Sequence, residues 1–177
     1  MTTQAPAPPA TSGFSAKDFR MALGSFATGV TVVTTMGEDG HGYGMTVNAF
    51  SSVSLDPPLV LVCAISGNAG SEQIERNRCF AVNILAVDQE PLSGYFASRD
   101  RPRGRDAFRD VDHTQGPTGA PLIEGVVAHL DCRLAQSYTV GDHEVFIGEV
   151  LDLHIDPEAE PLLFHGGSYR LLQPPPA

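Results

Sequence analysis

The segment 44–52, Gly-Met-Thr-Val-Asn-Ala-Phe-Ser-Ser, reads as strand yet carries Thr46, Asn48, Ser51 and Ser52 where a core-facing row would be apolar. Hydroxyls, an amide and backbone groups in one stretch suit a planar, hydrogen-bonding ligand lying along the strand. They equally suit an edge strand with one solvated face, and composition alone favours that plainer reading. A second cluster, Ser66-Gly67-Asn68-Ala69-Gly70-Ser71, falls between an apolar run and a short helix. A helix N-terminus offers unpaired N–H groups and a positive dipole end, which together hold phosphate. Asn68 and Ser71 could add side-chain donors, although an N-cap needs no ligand to justify it. A third, Gly141-Asp142-His143-Glu144, forms a turn before a strand and sets one imidazole at a hairpin tip, a common place for a polar residue. The fourth is a loop with Arg99, Arg101, Arg103, Arg105 and Arg109 interleaved with Asp100, Asp106 and Asp110. It could attract dinucleotide phosphates or simply pair with itself.

Other chemistries lack their residues. The six His show no HxxxH or HExxH spacing and stand apart from any Cys cluster, which argues against a metal site. There is no GxSxG elbow, no GxGxxG after a strand and no Walker A sequence, so a nicotinamide would have to bind without a Rossmann unit. A formal charge of -10 argues against nucleic-acid or anionic-membrane partners. Cys63, Cys79 and Cys132 are odd in number and make no CxxC pair, which predicts free thiols in a reducing compartment. The start of the chain has neither a basic region nor an apolar stretch of the signal-peptide kind, and no segment is long and apolar enough to span a bilayer. Both point to the cytoplasm.

The elements that must position these groups can be read from patterning. With 177 residues, 42% of them hydrophobic, one domain with a real core is expected, its interior mostly aliphatic because Trp is absent. Residues 1–13 and 173–177, rich in Pro and small side chains, are predicted to be flexible tails around a domain at 14–172. Ser15 with Asp18 predicts an N-cap, and Phe14 with Phe19 a hydrophobic staple. Phe19, Ala22, Leu23 and Phe26 share one helical face, and Gly29 ends the helix. Strands are predicted at 30–35, 43–54, 59–65, 79–85, 126–136 and 143–155, with 162–172 closing the chain. Hairpin turns are expected at 37–42 and 139–142. Short helices are expected at 69–77 and 88–97, with a polar loop at 98–112. The whole reads as a mostly β barrel with helical insertions.

Four stretches taken in order resemble the flavin reductase-like, FMN-binding split-barrel proteins, which include reductase components of two-component monooxygenases. They are Phe26-Ala27-Thr28-Gly29-Val30-Thr31-Val32-Val33-Thr34; 44–60, ending Asp56-Pro57-Pro58-Leu59-Val60; Phe80-Ala81-Val82-Asn83-Ile84-Leu85; and Gly141-Asp142-His143 with Gly148-Glu149-Val150 and then 161–170. The resemblance covers about 14–172. It implies a six-stranded Greek-key split β-barrel, a homodimer, and transfer of a hydride from NADH, or less expectedly NADPH, to FAD or FMN, with reduced flavin passed to a flavin-dependent monooxygenase. It implies a flavin site lined by Met45, Thr46, Val47, Asn48, Ser51, Ser52, Cys63, Ala64 and Ser66, with phosphate at Asn68 and Ser71. Phe96 would border the ring. His143 and Tyr169 would meet the nicotinamide. The family's phosphate region often includes a Lys or Arg, and 66–71 has none, so either backbone and hydroxyl groups suffice or an arginine of 99–105 helps, with Arg103 the one named. A flavin-binding module without turnover, or a pyridoxamine-phosphate-oxidase-like flavoprotein, remains as an alternative.

Overall fold

The computed structural model describes residues 13–173, so the expected tails lie, apart from Gly13 and Gln173, outside the described residues. The described residues form three α-helices: α1 (Ala16–Gly24), α2 (Ala69–Asn77) and α3 (Glu90–Ala97). The strands are β1 (Thr28–Gly29), β2 (Thr31–Met36), β3 (Gly42–Val47), β4 (Phe50–Leu55), β5 (Pro58–Ile65), β6 (Cys79–Ile84), β7 (His113–Gln115), β8 (Pro121–Ile123), β9 (Ala128–Val140), β10 (His143–Ile155), β11 (Leu163–His165) and β12 (Ser168–Arg170). No helix among the described residues is long and apolar enough to cross a membrane.

The N-terminal signals act as their chemistry predicts. Ser15 and Asp18 close a capping box, and the Phe14 and Phe19 rings meet at 5.7 Å. The helix stops at Gly24, however, and not at Gly29, because Thr28 and Gly29 pair with Phe164 and Leu163 as a strand. Among the described residues the apolar side chains of α1 and the turn after it stay exposed, Leu23 at 59% and Phe26 at 77%.

The main sheet is antiparallel and seven-stranded, in the order β3-β2-β6-β9-β10-β5-β4, one strand more than the six expected. Its two edge strands, β3 and β4, are joined by Asn48 and Ala49 alone. Strands lie about 4.8 Å apart, so a flat sheet would separate these edges by roughly 29 Å. A two-residue link spans at most roughly 11 Å. The sheet is therefore rolled, and the Cys63 N–H donates to Ala49 O at 3.0 Å across the closing point. This corrects the single long strand expected at 43–54. The chain breaks at Asn48 because it must step from one sheet edge to the other.

The two larger apolar clusters among the described residues hold the roll. Inside it, Val33, Val62, Ile74, Val82, Phe80 and Phe146 pack together. Outside it, Val32, Leu85, Phe96, Phe108, Ile123 and Leu162 pack under α3 and the following loop. The β-branched run of β2 is buried on both faces because alternate residues, Val32 and Val33, enter different clusters. Thr31 and Thr34, buried in the same strand, donate to Val47 O at 2.6 Å and Pro121 O at 2.5 Å. Both hydroxyls are thereby satisfied within the core.

Candidate functional site

One large cavity, about 680 Å³, opens where the rolled sheet closes. Its walls are β3 with Asn48 and Ala49, the end of β5, the turn into α2, the end of α3 with the loop 98–104, and His143 from the β9–β10 hairpin. Topology gathers these distant segments. His143 faces Ile65 in the β10–β5 pairing, while the Asn48–Ala49 link brings β3 alongside β5.

Of the residues expected from sequence, Met45, Thr46, Val47, Asn48, Cys63, Ala64, Ser66, Asn68, Phe96, Arg103 and His143 line this cavity. Ser51, Ser52, Ser71 and Tyr169 do not. Ser51 and Ser52 lie past the break, exposed on β4, where Ser51 Oγ donates to Ser52 O at 3.1 Å. Ser71 is buried in the first turn of α2, its Oγ donating to Ile65 O at 3.1 Å. Tyr169 reaches the site only through others: its hydroxyl is 2.8 Å from Ser93 Oγ, and the Ser93 carbonyl accepts from Thr46 Oγ1 at 2.7 Å.

Hydrogen-bond direction decides what the lining can offer. A hydroxyl has one hydrogen to give. Thr46 gives its hydrogen to Ser93 O, and Ser66 gives its own to Glu144 Oε1 at 2.9 Å, so both turn only lone pairs to a ligand. Asn68 donates to Ile65 O at 2.6 Å and to Ser71 Oγ at 2.9 Å, while its Oδ1 caps the Ser71 N–H. Both amide hydrogens of Asn68 are thus spent inside the turn. The expected side-chain phosphate donors of 66–71 are occupied in shaping the loop. The donors that remain are the leading N–H groups of α2, at Ala69 and Gly70, which precede the first intrahelical acceptor, and the arginines across the cavity.

His143 follows a two-residue hairpin, Gly141-Asp142, with Gly141 at φ +63° as such a turn requires. Its Nδ1 lies 2.7 Å from Asp142 Oδ1. That hydrogen bond, followed by the charge of the imidazole, holds the Asp142 carboxyl below its ordinary value. An ionised carboxylate only accepts, so Nδ1 carries the hydrogen and Nε2 is the nitrogen left for a ligand.

The arginine loop divides. Arg109 pairs with Asp106 on the surface, whereas Arg99, Arg101 and Arg103 line the cavity. Sequence reading raised the whole loop but assigned only Arg103. It also passed over Gly42 and Gly44, whose i, i+2 spacing on β3 was an available signal. A Cβ at Gly42 would sit 2.6 Å from the Phe108 ring, and one at Gly44 would strike the Phe96 ring. A second, more apolar cavity of about 360 Å³ lies beyond Asn48, between Phe26–Gly29 and Phe50. No three His, Cys, Asp or Glu side chains among the described residues stand together as metal ligands would.

A family model described as "Flavin reductase like domain" matches residues 23–173. An NADH-dependent FAD reductase of Streptomyces globisporus is 44% identical over 156 residues, 88% of this chain and 85% of its own. The reductase subunit HsaB of a flavin-dependent monooxygenase from Rhodococcus jostii (strain RHA1) is 41% identical over 156 residues, 88% of this chain and 77% of its own. Among solved structures, the NADH:FAD oxidoreductase SgcE6 of Streptomyces globisporus C-1027 superposes with a TM-score of 0.84 at 43% identity, covering 94% of this chain and 100% of that one. The same protein in complex with NAD and FAD fragments gives 0.83 at 41% identity, covering 90% and 93%.

Proposed function

The chain belongs to the flavin reductase-like family, and from that membership we propose its function in full. It is an NADH-dependent flavin reductase that moves a hydride from the nicotinamide to FAD or FMN and delivers reduced flavin to a monooxygenase. The carrying observation is similarity to NADH-dependent flavin reductases along nearly the whole chain.

The cavity suits a flavin on its own chemistry. Its volume lies within the range of small-molecule sites. One wall is backbone and small side chains, and anion-binding donors stand at one end. Bound there, the flavin supplies the ring that accepts the hydride. Met45, Val47 and Ala64 exclude water from one side of the ring region, and Cys63 adds a neutral thiol to that wall. Thr46 and Ser66 accept hydrogen bonds from ligand N–H or O–H groups. Ala69 and Gly70 N–H, with Arg103, hold the phosphate, while Asn68 and Ser71 fix the loop that presents those N–H groups. His143, aimed by Asp142, positions the nicotinamide through Nε2.

The rolled sheet is read as a Greek-key split barrel, supported by the two-residue edge link and by β6 lying between β2 and β9. A homodimer is read from the apolar side chains exposed on α1 among the described residues, and a cytoplasmic setting from three unpaired thiols.

The test is NADH oxidation by the purified protein with and without added FAD, FMN or riboflavin. Oxidation that rises and saturates with flavin supports the reading. Flavin binding with no oxidation of NADH or NADPH would leave a binding module. In the same assay His143→Ala should cut kcat/KM for NADH about ten-fold, the worth of one charge-assisted hydrogen bond, with a smaller change in the flavin KM. Equal losses for both substrates would remove His143 from the nicotinamide side.

A further inference from the structure

Arg101 is the most constrained member of the arginine loop. Its Nη1 donates to Ser98 O at 2.6 Å and its Nη2 to Gly44 O at 2.6 Å, so one guanidinium ties the loop's start to β3, the main wall of the cavity. Its Cζ lies 5.8 Å from the centre of the buried Phe96 ring, so the planar group is also held by a cation–π contact. No carboxylate pairs with it among the described residues. Burial, and then the neighbouring Arg103 charge, lower its pKa. Holding an uncompensated cation half-buried beside a second one costs free energy, and the fold tolerates that cost here, where Arg99 and Arg103 reach the same cavity. Arg103 in turn donates to Arg99 O at 3.2 Å, so the tether at Arg101 lies inside the segment that carries both.

The side chains at the start of α2 cannot supply phosphate donors, as their hydrogens are already given away. A phosphate at this site therefore has only the Ala69 and Gly70 N–H groups and the arginines opposite as donors, and the arginines stay opposite only while the loop is held to β3. We propose that Arg101 is a positioning residue: it latches the loop 98–104 onto β3 at Gly44 and thereby presents Arg99 and Arg103 to the phosphate of the flavin. The proposal rests on the flavin reductase reading and names the residue that makes its phosphate subsite. Because the tether uses two nitrogens in a fixed fork, lysine can replace only part of it.

The experiment compares kcat/KM for FMN with that for riboflavin, which differs from FMN only in lacking the phosphate. Wild type should favour FMN, and Arg101→Met should lower the FMN-to-riboflavin ratio about ten-fold, as loss of a charge-assisted phosphate contact predicts. Arg101→Lys should fall between the two. In an Arg99→Gln/Arg103→Gln background, Arg101→Met should leave the ratio where it already stands, because the latch then has nothing to present. Equal losses for FMN and riboflavin would overturn the proposal, since a merely structural role lowers both together. So would a further ten-fold drop in the double-variant background, which would make Arg101 a direct contact. If Arg101→Met does not fold, Arg101→Lys carries the test, and an unchanged ratio in that variant overturns the latch. Failure of wild type to oxidise NADH with any of the three flavins would sink the reductase reading itself, a result distinct from an unchanged ratio.

Discussion

Cys132 sits wholly buried on β9 inside the rolled sheet, and burial, aided by the nearby Asp131, pushes its thiol up to about 12 from the ordinary 9.0. The neutral thiol is the form the core accepts. Its contribution to stability is fully present below pH 9, where folded and unfolded chains both hold the proton. Above pH 9 the unfolded chain ionises first, and the contribution is lost as pH rises towards about 12. The expected slope from this one group is roughly 1.4 kcal/mol per pH unit. Urea midpoints measured across that interval should fall more steeply for wild type than for Cys132→Ala, and parallel curves would contradict the assignment. Cys63 shows the same physics at the cavity, where burial alone raises its thiol. It is therefore part of an apolar wall and not a thiolate nucleophile. At this scale direction matters more than identity: Thr46, Ser66 and Asn68 are the expected residue types in the expected place, yet their hydrogens point into the protein.

At the scale of elements, β3 makes the site by being thin. Gly42 and Gly44 let Phe108 and Phe96 approach its backbone, and Phe96 is itself wedged between Tyr95 at 5.0 Å and Phe108 at 5.2 Å. With no room to retreat, Phe96 should resist a methyl group at residue 44, so Gly44→Ala is expected to cost about 1–3 kcal/mol as an overpacked core does. Thermal unfolding would show this as a lowered Tm, with weaker flavin saturation because the same carbonyl anchors Arg101. An unchanged Tm would mean that the aromatic cluster can shift. The β9–β10 hairpin contributes reach: two long strands carry His143 to the cavity mouth, and the tight Gly141-Asp142 turn aims it.

At the scale of the whole molecule, the unmet demand is apolar surface. Phe19, Met21, Leu23 and Phe26 on and after α1, and Leu171 and Leu172 beyond β12, are all half exposed or more. A hydrogen bond from Gly166 N to Gly24 O, 2.8 Å, brings the end of α1 to the β11–β12 turn. So many large apolar side chains exposed on and after one helix are unusual on a monomer, and a second copy related by a two-fold axis would cover them. Light scattering should therefore give twice the 18.8 kDa chain mass, and Leu23→Glu/Phe26→Asp should reduce it to a single chain. A wild-type protein of single-chain mass would end the dimer reading.

Much of this was legible in the sequence because it depends on neighbours along the chain. Ser15 with Asp18, the Gly141-Asp142 turn, the N-cap at Asn68 and the β-branched strand β2 are local in their physics, and the ordered motifs carried family and reaction. Tertiary structure decided what depends on distant partners. The break at Asn48 could not be read locally, since 43–54 alternates like one strand and only closure of the sheet forces the step between its edges. The donors of Thr46 and Ser66 are consumed by Ser93 and Glu144, which lie 47 and 78 residues away. Arg101 became distinct from the other loop arginines only when its guanidinium met a carbonyl 57 residues earlier in the chain. A side chain's type is written in the sequence, but the partner that takes its hydrogen is chosen by the fold.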